Sequence, residues 1–272
     1  MHSRLPLRRV RIGVLRIAPR SIAVTRKRTY RSFIHREAFF RICCEQFDAA
    51  TAEIVRQRRI LEDYIAGHGE FRRSLEPIAP LDNAPEVARR MDRAARLVGV
   101  GPMAAVAGAM AQCAAEAGLK AGAAEAIVEN GGDIYLRAAE PVIISLYTGT
   151  AELSGWLAFS LQPEDTPISI CSSSGKMGHS KSLGDCDLAT VVAKDAALAD
   201  AAATMAANMV RAVRQVDAAL ETIAAIDGID GVLIVKNDHV GVAGRLPQLV
   251  KQKRCQEPFS GTAWSVLRTK GS

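Results

Sequence analysis

The chain has 272 residues, enough for one large buried core or two small ones, and 49% of them are apolar, which excludes a disordered or low-complexity protein. Its formal charge of +6 suggests nucleic acid, yet residues 1–36 hold eleven Lys/Arg and no acid, and 251–272 hold five against one, leaving 37–250 at −9. The basicity belongs to the tails, and an acidic body argues against nucleic-acid binding.

Residues 1–44 read as a basic N-terminal extension without regular structure, 45–245 as the folded domain, and 246–272 as a C-terminal appendage of the same kind as the first. The arginine-rich head from Arg4 to Arg36 shows neither an apolar core segment nor a cleavage pattern, so it does not read as a secretory signal. An organellar presequence or an arm for anionic surfaces are its alternatives. Six cysteines (43, 44, 113, 171, 186 and 255) form no C-x-x-C, and five scattered histidines give no zinc spacing. Free thiols in a reducing compartment fit this usage, and the expected location is cytoplasmic. The longest apolar stretch, Val98 to Ala111, is too short and too rich in Gly and Ala to span a bilayer, so no membrane partner is expected.

In chain order, Ile54, Ile60, Leu61, Tyr64 and Ile65 recur at helical spacing, which predicts a helix from Glu45 to about His68. Asn83, Pro85 and Glu86 supply start signals for a second helix to Leu97, closed by Gly99 and Gly101. A third opens at Pro102 and is built of small residues, which let another backbone or a flat ligand approach closely. Strands follow at 126–128, 134–136 and 142–147, then through the alternating Leu153, Leu157, Phe159 and Leu161, and at 168–171 and 188–193. Their hairpin spacing predicts antiparallel pairing rather than βαβ units. An alanine-rich helix begins after Asp195, another covers 217–226, and 231–235 with 240–242 reads as a closing hairpin.

Three constellations could carry chemistry. Between two apolar strand segments, Asn130-Gly131-Gly132-Asp133 is a turn that exposes backbone N–H groups beside a carboxylate; it can hold a phosphate or a sugar hydroxyl, and is equally an ordinary hairpin turn. Ser172, Ser173, Ser174 and Gly175, with Lys176, Gly178 and His179 close behind, can bind oxyanions through hydroxyls and backbone amides, although neither a P-loop nor a nucleophile elbow is present. Asp200 and Thr204 lie one turn apart on a helix and present two hard oxygen donors suited to Mg²⁺, and taken alone they read more readily as a solvated helix face.

With Gly101-Pro102-Met103-Ala104-Ala105-Val106-Ala107-Gly108 before them and Thr190-Val191-Val192-Ala193 ahead of Asp200, these motifs follow the order and spacing of the ApbE-like flavin-transferase superfamily. The resemblance covers about Leu61 to Val242. More closely, the chain resembles the UPF branch, whose members share a Gly-Val-Gly-Pro-Met-Ala-Ala-Val-Ala-Gly helix and a Glu-Asn-Gly-Gly-Asp-Ile turn. The resemblance implies an α+β fold, mostly antiparallel sheets backed by helices, pseudo-duplicated in the manner of a T-fold. It also implies an FAD site and a Mg²⁺ site, used in relatives to move FMN onto a Ser or Thr hydroxyl of an acceptor protein. Carried over by position, Asp200 and Thr204 match the metal pair, a carbonyl near Ala104 or Ala105 the third ligand, and Asn130 to Asp133 the flavin-contacting turn.

Two departures stand out. Ala107 occupies the place of the transferases' lysine, and Gly178-His179-Ser180 stands where they carry His-Ile-Ile-Asp-Pro. The export signal common in relatives is also absent. The expected function is therefore flavin-nucleotide binding, with FMN transfer or FAD pyrophosphate cleavage in which Asp133 or His179 accepts a proton. The alternative is a non-catalytic binding protein for another phosphorylated or carboxylated metabolite. Expected partners are the ligand, an acceptor protein and a second copy of the chain in a homodimer.

Overall fold

The computed structural model describes residues 28–147, 157–175, 184–237 and 239–251. Two strands come first, β1 (Arg31–His35) and β2 (Ala38–Cys44). Helices α1 (Phe47–Gly67), α2 (Gly69–Arg73) and α3 (Glu86–Val98) follow, then a 3-10 turn (Pro102–Ala105) that leads into α4 (Val106–Lys120). Next come β3 (Ala126–Asn130), β4 (Asp133–Arg137), β5 (Val142–Ser145), β6 (Leu157–Leu161), β7 (Ile168–Ser173) and β8 (Leu188–Ala193). Helices α5 (Ala196–Met209) and α6 (Val216–Ala224) precede β9 (Ile229–Lys236), β10 (His239–Gly244) and β11 (Gln248–Lys251).

Eight strands form one antiparallel sheet in the order β1-β2-β3-β4-β7-β8-β9-β10, and three form a second, β11-β6-β5. The large sheet is two copies of one plan. In each half, two strands, a helical segment and two more strands make four neighbouring antiparallel strands, and the halves join where β4 pairs with β7. The α+β, mostly antiparallel and pseudo-duplicated architecture that the family resemblance implies is the one found.

Side chains alternate across the sheet with a period of two. Ala126 and Val128 of β3, Tyr135 of β4 and Cys171 of β7 enter a core shared with the helices. Ile127, Leu136 and Ile170 enter a second core, against the three-stranded sheet. With both faces covered, all six residues of β8 are buried. Alanines fill the contact faces of α4 and α5, so these helices approach closely. No single helix among the described residues is long and apolar enough to cross a membrane.

The fold begins earlier than residue 45 and ends later than 245. Strands β1 and β2, expected to belong to the basic extension, form the edge of the large sheet, with Phe40 opposite Asn130 and Cys44 opposite Ala126. Arg28 anchors their start: its guanidinium donates to both Glu125 carboxylate oxygens at 2.7 Å and to the Pro141 and Glu140 carbonyls at 2.9 and 2.7 Å. Strand β11 pairs with β6 within the expected C-terminal appendage. Arginines 31, 36 and 41 mask the apolar alternation of the first two strands, whose partners lie far along the chain. The other parts of the two appendages, 1–27 and 252–272, lie outside the described residues, as does Leu153.

Candidate functional site

The Asn-Gly-Gly-Asp segment is the two-residue turn of the β3–β4 hairpin, with Asn130 opposite Asp133. Gly131 and Gly132 have φ values of +65° and +105°, the left-handed backbone that a two-residue hairpin demands and that glycine adopts without strain. By strand alternation Asn130 falls in step with Val128, and Asp133 with Tyr135, so both side chains point to the helix-covered face. Both are buried, 8% and 7% exposed, although polar.

On that face two helices cap one another. The first turn of α4 has no capping side chain of its own. Instead the Asp200 carboxylate, from α5, accepts the Gly108 N–H at 2.9 Å. In return Gln112 of α4 accepts the Ala196 N–H at the start of α5, at 2.8 Å. Each helix thereby satisfies a donor its partner leaves open, and the Asp200 charge sits at the positive end of the α4 dipole. The crossing is so close that a Cβ at Gly108 would stand 2.1 Å from the Ala196 carbonyl oxygen and 2.9 Å from the Asp200 Cβ. Asn130 completes the arrangement by donating from Nδ2 to the Ala107 carbonyl at 3.2 Å.

Asp133 and Asp200 are two buried acids whose charges oppose each other. Burial pushes the Asp200 carboxyl up to about 7, against the pull of the Gly108 and Ala107 backbone N–H groups. Burial, then the neighbouring Asp200 charge, holds Asp133 well above the ordinary carboxylate range, with the Cys171 thiol and Ser172 backbone opposing. The Asp133 Oδ1 atom is buried and has no hydrogen-bond partner. A buried carboxylate with one oxygen unpartnered is costly, so a proton or a cation must offset it. Two carboxylates with the Thr204 hydroxyl one turn beyond Asp200 are hard oxygen donors and fit a divalent cation of the Mg²⁺ class. No three His, Cys, Asp or Glu side chains converge on one point among the described residues, so such a cation would keep water or phosphate ligands.

The serine run divides between the two faces of the sheet. Ser172 bonds Thr190 at 2.9 Å between their hydroxyl oxygens, and their places in β7 and β8 put both on the face away from the acids. Ser173 follows Cys171 on the acid-bearing face, and its Oγ is buried with no hydrogen-bond partner. The Ser174 hydroxyl donates to the Cys186 carbonyl at 3.3 Å, as does the Gly175 N–H at 2.8 Å. A Cβ at Gly175 would lie 2.4 Å from the Gly184 oxygen, so the glycine serves close backbone packing.

The family model described as AbpE bacteria matches residues 37–230. A UPF0280 protein of Methanococcus maripaludis is 42% identical over 209 residues, covering 75% of this chain and 85% of that relative. One of Methanocaldococcus jannaschii is 41% identical over 210 residues, with the same two shares. The chain belongs to the ApbE-like family, in its UPF0280 branch. At the level of fold it is similar to the flavin transferase ApbE from Vibrio cholerae, with a TM-score of 0.52 and 16% identity over 80% of this chain and 97% of that one. The ApbE protein from Thermotoga maritima gives a TM-score of 0.52 at 12% identity, over the same shares.

In this ApbE-like chain, Asn130, Asp133 and Ser173 point to the helix-covered face of the sheet, where Asp133 neighbours Asp200 of α5, and Thr204 is half-buried on the same helix as Asp200. Gly131 and Gly132 form the turn above them. Ser172 and Ser174 spend their hydroxyls on Thr190 and Cys186. His179 lies outside the described residues. The sequence reading missed Gln112 and Cys171: one is an ordinary polar residue on a helix, the other an apolar-looking strand position. A separate cleft lined by Arg28, Arg31, Cys43, Cys44 and Glu125 sits at the opposite end of β3 from Asn130, and its Arg28 is committed to Glu125.

Proposed function

We propose that this ApbE-like protein binds a flavin nucleotide, FAD, beside the Asn130–Asp133 turn, and that Asp200 and Thr204 hold a divalent cation, Mg²⁺. The observation that carries the reading is the buried, unpartnered Asp133 Oδ1 next to the raised Asp200 carboxyl, a pair of acids whose charge a bound cation would offset in place of protons. When bound, the cation would neutralise charge on the phosphates during displacement at phosphorus. Asp133, whose affinity for protons is raised by burial and by the Asp200 charge, and His179 are the two proposed acceptors of the proton from the attacking hydroxyl. The Gly131 and Gly132 backbone, with the free Ser173 hydroxyl, would meet the polar part of the nucleotide. The reaction is FMN transfer to a hydroxyl of an acceptor protein, or to water, with AMP leaving. The reading places the protein in the cytoplasm, on the reducing compartment inferred from its cysteine spacing.

A second reading is a binding protein without chemistry, for FAD or another phosphorylated or carboxylated metabolite. Ala107 favours it: no amine is offered at that place, and its carbonyl is already bound to Asn130. Incubation with FAD and Mg²⁺, with AMP and FMN measured by chromatography, separates the two. AMP release that disappears in Asp200→Ala supports the first; saturable quenching of flavin fluorescence with intact FAD supports the second. Neither quenching nor AMP would sink both.

A further inference from the structure

Asn130 has two roles open to it, ligand contact or internal support, and the hydrogen bonds favour the second. Its Nδ2 donates inward to the Ala107 carbonyl at 3.2 Å, and the side chain is buried. The next residue along α4, Gly108, gives its N–H to Asp200 at 2.9 Å. A single peptide unit therefore links the two bonds, the carbonyl of Ala107 and the N–H of Gly108 belonging to the same planar amide. Tilting that plane moves both partners together. The α5 backbone already fills the space a side chain at Gly108 would need, and the Ala107 N–H also reaches the Asp200 carboxylate, so the start of α4 and this acid are held closely together.

We propose that Asn130 is a positioning residue: by holding the Ala107–Gly108 peptide plane, it sets where the Asp200 carboxylate stands. The hairpin turn of the first half thus aims the carboxylate of the second half. The inference deepens the cation-site reading and rests on it only for its consequence, since the hydrogen-bond relay exists with or without a ligand. In consequence Asn130 tunes cation affinity without touching the cation, whereas a flavin-contacting asparagine would change nucleotide affinity first.

The test uses the full chain, labelled with nitrogen-15, in wild-type form and as Asn130→Ala and Asn130→Asp. The aspartate keeps the shape and removes the donor. Amide hydrogen exchange at Gly108 is expected to speed up about fivefold in both variants, the loss due to one ordinary hydrogen bond, while Val192 of β8, a strand inside the large sheet, keeps its protection. Mn²⁺ affinity, read by electron paramagnetic resonance, is expected to fall about fivefold in Asn130→Ala. Unchanged exchange at Gly108 in both variants would overturn the proposal, and loss of flavin quenching with Gly108 unaffected would make Asn130 a ligand contact instead. If the wild type binds no Mn²⁺ and Gly108 still responds, the relay stands and the cation reading fails. A variant that loses Val192 protection as well has unfolded, and the other variant then decides.

Discussion

The Gly108 N–H lies 2.9 Å from a carboxylate oxygen of Asp200, so an acid from the second half of the chain caps a helix of the first. The bond needs a residue without a side chain, because a Cβ at Gly108 would meet the Ala196 carbonyl at 2.1 Å. Gly108→Ala is therefore expected to force α4 and α5 apart and to cost about 3 kcal/mol, at the upper end of ordinary overpacking. Urea unfolding measures it, and a loss below about 0.5 kcal/mol would show that the helices can separate freely.

The acid pair should leave a mark on the pH dependence of stability. Asp200 titrates at about 7 in the fold and near 4 in the unfolded chain, and Asp133 is shifted in the same direction. The fold therefore holds protons that the unfolded chain has released, and the stabilisation this brings is complete below pH 4 and is lost as pH rises through 7. Glu37, Glu53 and Glu86 are lowered and change only at more acid pH. The denaturation midpoint of the metal-free protein is expected to fall between pH 5 and 8. A midpoint that climbs over this range would contradict the raised pair.

Asp200→Asn keeps an oxygen for the Gly108 N–H and removes the charge. Without metal, the variant is expected to be at least as stable as the parent at pH 8, with a flatter pH profile. Added Mg²⁺ should raise the melting temperature of the parent and not of the variant, since only a ligand that prefers the folded state stabilises it. Equal shifts in both would remove Asp200 from the cation site.

The two turn glycines should differ in what they tolerate. Gly131, at φ +65°, lies in the left-handed region that asparagine reaches, so Gly131→Asn is expected to cost well under 1 kcal/mol. Gly132, at +105°, lies beyond it, and Gly132→Ala should cost about 1–2 kcal/mol through backbone strain alone, as its nearest neighbour is an uncrowded 3.7 Å from the added Cβ. Thermal denaturation of the pair checks the order, and equal costs would refute the assignment of strain to Gly132.

Arg28→Ala tests where the fold begins. The guanidinium and its partner Glu125 are 9% and 16% exposed, and removing one member leaves the other charge buried. A loss of about 3 kcal/mol is expected by calorimetry. A silent substitution would return residues 28–30 to the status of a tail.

What the sequence made legible follows the range of the forces involved. Helices such as 86–98 and strands such as 188–193 carry their period and their start and stop residues within a few positions, and both were read close to their true ends. Strands β1 and β2 were missed because their signal is a pairing with β3, which no local window contains, and because Arg31, Arg36 and Arg41 look like tail. Asn130 and Asp133 were singled out by turn chemistry and Asp200 by its helical spacing to Thr204, all of them local signals. That Asn130 faces Ala107, or that Ser172 turns to Thr190 on the other face, depends on which way each strand residue points, a parity that only the assembled sheet fixes.

The repeated plan of the sheet has a consequence for how binding capacity is distributed. The hairpin that corresponds to β3–β4 in the other half is β9–β10, where His239 stands opposite Lys236 as Asp133 stands opposite Asn130. There Lys236 is buried and tied to Asp185, with Nζ 2.8 Å from the carboxylate oxygen. One hairpin thus keeps a buried acid whose neutralisation is left to a proton or a cation, while its counterpart has its buried charge neutralised from within the chain. A symmetric backbone ends up with an asymmetric electrostatic vocabulary: the buried lysine of one hairpin is answered inside the fold, and the Oδ1 atom of the other hairpin's buried aspartate is not.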